Sequence, residues 1–192
     1  MTRPLIALLA LSLLTACASD PQEQAEVEPA APPPAAASPA FLETPYTAEQ
    51  IRDAWVPGLS LKMVNETQYG KQYQRWTVVS ADDEGADVEY AEIDAQDNRM
   101  GEPQVRRSLW VELRDHARFP ADVCTRTEVT RQTALGELTG WSYVLSDEAN
   151  DVVTEFFFAH SLPGAPVHMV VTRAGAVMQE MTQEERDLLP PS

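Results

Sequence analysis

The sequence predicts a mainly β domain: an antiparallel meander curved into an open sheet or half-barrel, with one short N-terminal helix. Three observations predict it. About nine runs of alternating or β-branched and aromatic residues follow one another between residues 59 and 181. Clusters of Gly, Asp, Asn and Pro punctuate them at regular spacing. The intervening helices that parallel βαβ units require are missing, which leaves antiparallel neighbours.

The elements follow in order. Thr47-Ala48-Glu49-Gln50 has capping-box form, with Thr47 as N-cap and Gln50 three positions on. Ile51, Ala54 and Trp55 then mark one face of a short helix, which Pro57-Gly58 ends. Leu59, Leu61 and Met63 alternate in strand fashion. Tyr69-Gly70-Lys71 reads as a turn into a strand over 73–81 that carries Tyr73, Trp76, Val78 and Val79. Asp82-Asp83-Glu84-Gly85 turns the chain into a strand over 87–93. A polar break precedes a fourth strand over 105–113, built on Val105, Leu109, Trp110, Val111 and Leu113. After a loop, strands over 125–133 and 137–146 meet at Leu135-Gly136, and a strand over 152–159 holds Phe156-Phe157-Phe158. The rigid link Leu162-Pro163-Gly164-Ala165-Pro166 leads to a last hairpin, 167–173 and 176–181, about Ala174-Gly175. Residues 184–192 read as a polar tail with a short helical turn before Pro190.

Upstream of this domain the composition changes twice. Residues 5–14 form an apolar run after Arg3, roughly 10 residues against the about 20 that cross a bilayer, which fits a signal-peptide core. Leu14-Thr15-Ala16-Cys17 closes the run, with a Leu three positions before a Cys and small residues between. It resembles the lipobox of bacterial lipoprotein signal peptides. That resemblance implies cleavage before Cys17, a lipid on Cys17, and a place in the cell envelope. Ala18 and Ser19 lack the Asp of an inner-membrane retention signal, which directs the expectation to the periplasmic face of the outer membrane. From Ala18 to Pro45, seven prolines interrupt Ala, Glu and Gln, and such a segment cannot bury enough apolar surface to offset its ordering entropy. The expected organisation is a signal peptide over 1–16, a lipidated tether over 17–45 and one domain over 46–192.

The formal net charge is −16, from 30 acids and 14 bases. An acidic surface repels phosphate backbones and anionic head groups, so the expected partners include no nucleic acid. The membrane is reached through the lipid on Cys17. With Cys17 so used, Cys124 has no partner for an intrachain disulfide, and its setting in Phe119-Pro120-Ala121-Asp122-Val123 favours a buried, inert thiol.

A second resemblance rests on Thr133-Ala134-Leu135-Gly136-Glu137-Leu138, Gly140-Trp141-Ser142-Tyr143, Phe157-Phe158-Ala159 and Leu162-Pro163-Gly164-Ala165-Pro166-Val167. This succession of hairpin, aromatic strand and Pro-flanked link is similar to half-barrel lipoproteins of the LolA/LolB carrier type. It covers about 40 residues, implies a curved sheet, and carries over no functional residue.

Three constellations could hold chemistry. His160 and His168 flank the 163–166 link and could face each other, but no third ligand stands at a metal-binding spacing. Cys124 and His116, with Asp115 or Asp122, supply the residue types of a nucleophile and base without a hydrolase motif around them. The acidic turns 82–87 and 94–98 lack EF-hand spacing and read as solvated turns. No catalytic residue, metal ligand or cofactor is therefore expected. The recurrent aromatics (Tyr73, Trp76, Tyr90, Trp110, Trp141, Tyr143, Phe156 to Phe158) fill a core or line a cavity on the concave face. The expected function is that of a non-enzymatic, lipid-anchored envelope protein binding an apolar ligand or another envelope protein. The alternatives are an interaction module without a pocket, and an enzyme using Cys124.

Overall fold

The computed structural model describes residues 40–189; Cys17, the signal peptide and most of the tether lie outside them. The order of elements is α1 (Ala48–Ala54), β1 (Leu59–Thr67), β2 (Gly70–Ala81), β3 (Gly85–Ile93), β4 (Gln104–Leu109), α2 (Trp110–Asp115), β5 (Cys124–Thr133), β6 (Gly136–Asp147), β7 (Val152–Ala159), β8 (His168–Arg173) and β9 (Ala176–Leu188). All nine strands join one antiparallel sheet in the order β4-β3-β2-β1-β9-β8-β7-β6-β5. Two meanders, β1 to β4 and β5 to β9, therefore meet at the centre, where the first strand pairs with the last.

The sheet is curved, and the core sits in its hollow. Trp76 on β2 and Phe156 on β7 are separated by four strand spacings, about 19 Å in a flat sheet. Both nevertheless line one cavity of about 300 Å³. Helices α1 and α2 cover that concave face. The core includes Trp55, Leu61, Trp110, Phe119, Tyr143 and Phe158, all less than a tenth exposed. A small second cluster, Phe157, Ala159 and Val167, lies on the other face under Leu135, Leu138 and Leu162.

The capping box is formed: Gln50 N–H donates to Thr47 Oγ1 at 3.2 Å, and Thr47 N–H to Gln50 Oε1 at 2.8 Å. Three elements differ from the sequence expectation. The strand expected over 105–113 stops at Leu109, and Trp110–Asp115 is a second helix. No side chain caps it. Trp110 sets it instead, with its ring buried, its indole N–H on the Asp82 carbonyl (2.9 Å) and its backbone N–H on that of Glu84 (3.0 Å). Tertiary burial here overrides the β propensity of Trp110-Val111. The final strand also continues to Leu188, through the segment expected as a polar tail, and pairs with β1 from Leu59↔Leu188 to Thr67↔Gln179.

The third difference is the start of the domain. Residues 40–45, assigned to the tether by composition, are bonded to it. Leu42 N–H donates to the Phe119 carbonyl and Ala121 N–H to that of Ala40, each at 2.9 Å. Glu43 accepts from Arg126 at 2.7 Å.

Candidate functional site: an aromatic cavity under two helices

The cavity is built by register. On the concave face, Leu61, Trp76 and Tyr90 stand opposite one another across β1, β2 and β3. Tyr143, Phe156, Met169 and Met181 do so across β6 to β9. Curvature brings the two rows together. The walls are Trp76, Tyr90, Phe156 and Phe158 from the sheet, Phe119 from the loop after α2, and Trp55 from the end of α1.

The rings brace one another. Phe119 stacks on Phe156 with centroids 5.2 Å apart, Phe156 on Phe158 at 6.3 Å, and Trp76 meets Tyr90 edge-on at 5.3 Å. Such offset and edge contacts add stabilisation of about 0.5–1.5 kcal/mol each beyond area burial.

The helical cover is tied to the rim by polar atoms of aromatic residues. The Trp55 indole N–H donates to the Pro163 carbonyl (3.0 Å), and the Tyr46 hydroxyl to that of Ala159 (2.6 Å). The Tyr143 hydroxyl donates to the Glu43 carbonyl (2.6 Å). Burial pushes the phenol of Tyr143 up to about 12 and raises that of Tyr46. Both stay neutral donors at physiological pH.

The polar edge of the cavity is sparse. Ser108 and His116 line it, and His116, the C-cap of α2, is exposed. Behind the 163–166 link, Arg186 Nη2 donates to the same Pro163 carbonyl at 3.1 Å, and burial pulls its guanidinium pKa down. Arg126 covers the β5 end of the concave face, 3.6 Å over the Trp141 ring. A cavity of this kind can hold a small apolar body.

The residues singled out in the sequence are dispersed. Cys124 is 5% exposed, its thiol lies 3.6 Å from the Thr125 carbonyl, and burial pushes its pKa up. His116 is not bonded to it. His160 and His168 do not face each other: each is 2.8 Å from its own carboxylate, Glu128 and Glu180 respectively. Asp82 accepts from the N–H groups of Glu84 and Gly85, and Asp94 from those of Gln96 and Asn98, so these carboxylates serve hairpin turns. Among the described residues no group of three or more His, Cys, Asp or Glu is placed to hold a metal. Arg126 and Arg186 went unremarked in the sequence because a lone Arg in a strand gives no sign of which side it faces.

Comparison with known proteins adds fold similarity. No protein family matches the sequence, and no curated protein does. The fold is similar to that of MucB. The structure of MucB in complex with MucA(peri) matches with a TM-score of 0.51 at 12% identity, over 76% of this chain and 55% of that one. The Pseudomonas aeruginosa MucA/MucB complex matches with a TM-score of 0.51 at 13% identity, over 74% and 55%. This chain thus spans about half the length of the MucB chain. An outer membrane lipoprotein-sorting protein domain from Vibrio parahaemolyticus also matches, over 73% of this chain and 90% of that one. At a TM-score of 0.26 and 9% identity, that likeness carries no weight. Among the described residues no helix is long and apolar enough to cross a membrane.

Proposed function

We propose that this chain is a lipid-anchored protein of the bacterial envelope that binds an apolar ligand in the cavity between its curved sheet and its two helices, without catalysing a reaction. The observation that carries the reading is the cavity: about 300 Å³ walled by six aromatic side chains, at the lower end of the range for small-molecule sites. A volume of that size takes one ring system or a length of a single acyl chain. The anchor rests on Leu14-Thr15-Ala16-Cys17, and the preference for the outer membrane on Ala18 and Ser19. The burial and raised pKa of Cys124 count against the cysteine-enzyme alternative.

A second reading, an envelope protein as the partner, is favoured by one observation. MucB, whose fold this domain resembles, is known in complex with MucA.

Titration of the purified full chain with a fluorescent long-chain fatty acid tests the first reading. Ala165 lines the cavity and is 7% exposed, so Ala165→Trp fills the space. Saturable binding by the wild type that this variant lacks supports the reading. Equal binding by both, or by neither, overturns it.

A further inference from the structure

An open sheet has two edges, and here they differ. Edge strand β4 has six residues, is preceded by Pro103, carries Arg106 and Arg107, and runs directly into α2. Short length, charge, Pro and an abutting helix are the usual protections of an edge. Edge strand β5 has ten residues and pairs with β6 without a bulge from Cys124↔Leu145 to Thr133↔Gly136. It has no Pro, four of its ten residues are Thr, and its three charges, Arg126, Glu128 and Arg131, are of both signs.

The direction of its free backbone groups is fixed. Ser146 N–H donates to the directly opposite Val123 carbonyl at 2.9 Å. Hydrogen-bonded pairs alternate along an antiparallel ladder. The odd-numbered residues of β5 therefore bond β6, and Cys124, Arg126, Glu128, Thr130 and Gln132 aim N–H and C=O outward. Among the described residues, no backbone hydrogen bond reaches these groups from outside the sheet.

We propose that β5 pairs antiparallel with β5 of a second copy of this chain, about a two-fold axis at Thr127. Charge selects both the occupant and the register. With Thr127 on the axis, Arg126 stands opposite Glu128 of the second copy, twice over, in hydrogen-bonded pairs, and Cys124 stands opposite Thr130. Sliding by two residues one way sets Glu128 against Glu128; sliding the other way sets Arg126 against Arg126. Opposite charges directly across a ladder stabilise and like charges destabilise. Within its own copy Arg126 holds Glu43 through Nη1 at 2.7 Å and Glu128 lies 2.8 Å from His160, so the cross-copy pairs form alongside these contacts, with Glu128, 57% exposed, the more accessible of the two.

The test uses the full chain. Thr127 and Thr125 are both exposed, so a Cys at either is tolerated. Thr127→Cys places two thiols across a non-hydrogen-bonded pair, where Cβ atoms approach to within disulfide reach. Thr125→Cys faces Val129 of the other copy instead. Under mild oxidation Thr127→Cys is expected to give a covalent dimer well above the level of wild type and of Thr125→Cys. In sedimentation equilibrium, Glu128→Arg is expected to weaken the wild-type dimer about tenfold or more, because it turns both opposite-charge pairs into like-charge ones. A wild-type chain that is monomeric at every concentration overturns the proposal. So does Thr125→Cys crosslinking as readily as Thr127→Cys, or an unaltered Glu128→Arg dimer.

Discussion

Gly164 lies so close against Trp55 that a methyl group on it would stand 2.0 Å from the indole nitrogen. The same indole donates to the carbonyl of the preceding residue, Pro163. The link between β7 and β8 and the end of α1 are thus fitted to each other at the wall of the cavity. Gly164 also has φ +118°, a conformation open to Gly and strained for other residues. Gly164→Ala must displace Trp55, lose its hydrogen bond and strain the link. A loss of about 2–4 kcal/mol in urea unfolding is expected. A change below about 0.5 kcal/mol would show that the ring is not held there.

The neutral phenol of Tyr143 makes stability fall at high pH. Its folded pKa of about 12 stands above the unfolded value of about 10. The unfolded chain therefore releases this proton first, and the contribution is full below about pH 10 and lost as pH rises toward 12. Tyr46, whose pKa burial also raises, adds to the same trend. Tyr143→Phe is expected to be less stable than wild type at pH 8, since the Glu43 carbonyl loses its donor. The gap should narrow between pH 10 and 12. A gap that widens there would contradict the assignment.

On the opposite face, Lys62 is nearly buried among Asp97 (2.9 Å), Glu185 (3.6 Å) and Glu184 (4.0 Å). Lys62→Met leaves Asp97 and Glu185 with Arg75 as the nearest cation. The hydrogen bond from Lys62 holds the Asp97 carboxyl below the usual range. A depressed folded pKa adds stability above the unfolded value of about 3.9, lost as pH falls through the folded one. Because the three acids are about 40% exposed, the variant should be destabilised by up to about 1 kcal/mol at pH 7 and by less below about pH 4. A pH-independent difference between the two proteins would show that packing, not charge, holds Lys62.

On the proposed lipidation of Cys17, Cys17→Ala should move the protein from the membrane to the soluble fraction. Three acyl chains, as lipobox proteins carry, bind firmly at about 0.8 kcal/mol per buried CH₂. Retention of Cys17→Ala on membranes would refute the anchor.

Much of the fold was legible because its signals are local. Thr47 and Gln50 cap α1 as their spacing requires, and Asp82 to Gly85 and Ala174-Gly175 turn hairpins as their types require. What escaped depends on distant partners. The Trp110 helix exists because its ring is buried with the indole N–H on the Asp82 carbonyl, and its backbone N–H meets the Glu84 carbonyl, both in the turn between β2 and β3. The end of β9 carries Glu184, Glu185 and Arg186 into the centre of the sheet, where Lys62 meets the two carboxylates and the Pro163 carbonyl meets the guanidinium. A polar run gives no sign of that beforehand. Aromatic strands announced a core, but the cavity itself needed the curvature that brings Trp76 to Phe156, a property of the whole sheet.

Native mass spectrometry of the full chain, isolated gently from its own membranes, tests ligand binding most directly. The wild type should carry a non-covalent apolar adduct that denaturation removes, while the covalent lipid proposed on Cys17 would stay. Ala165→Trp should lack the adduct while keeping its fold and its lipid. A wild type that arrives without an adduct and takes up no fatty acid afterwards would contradict the cavity as a binding site.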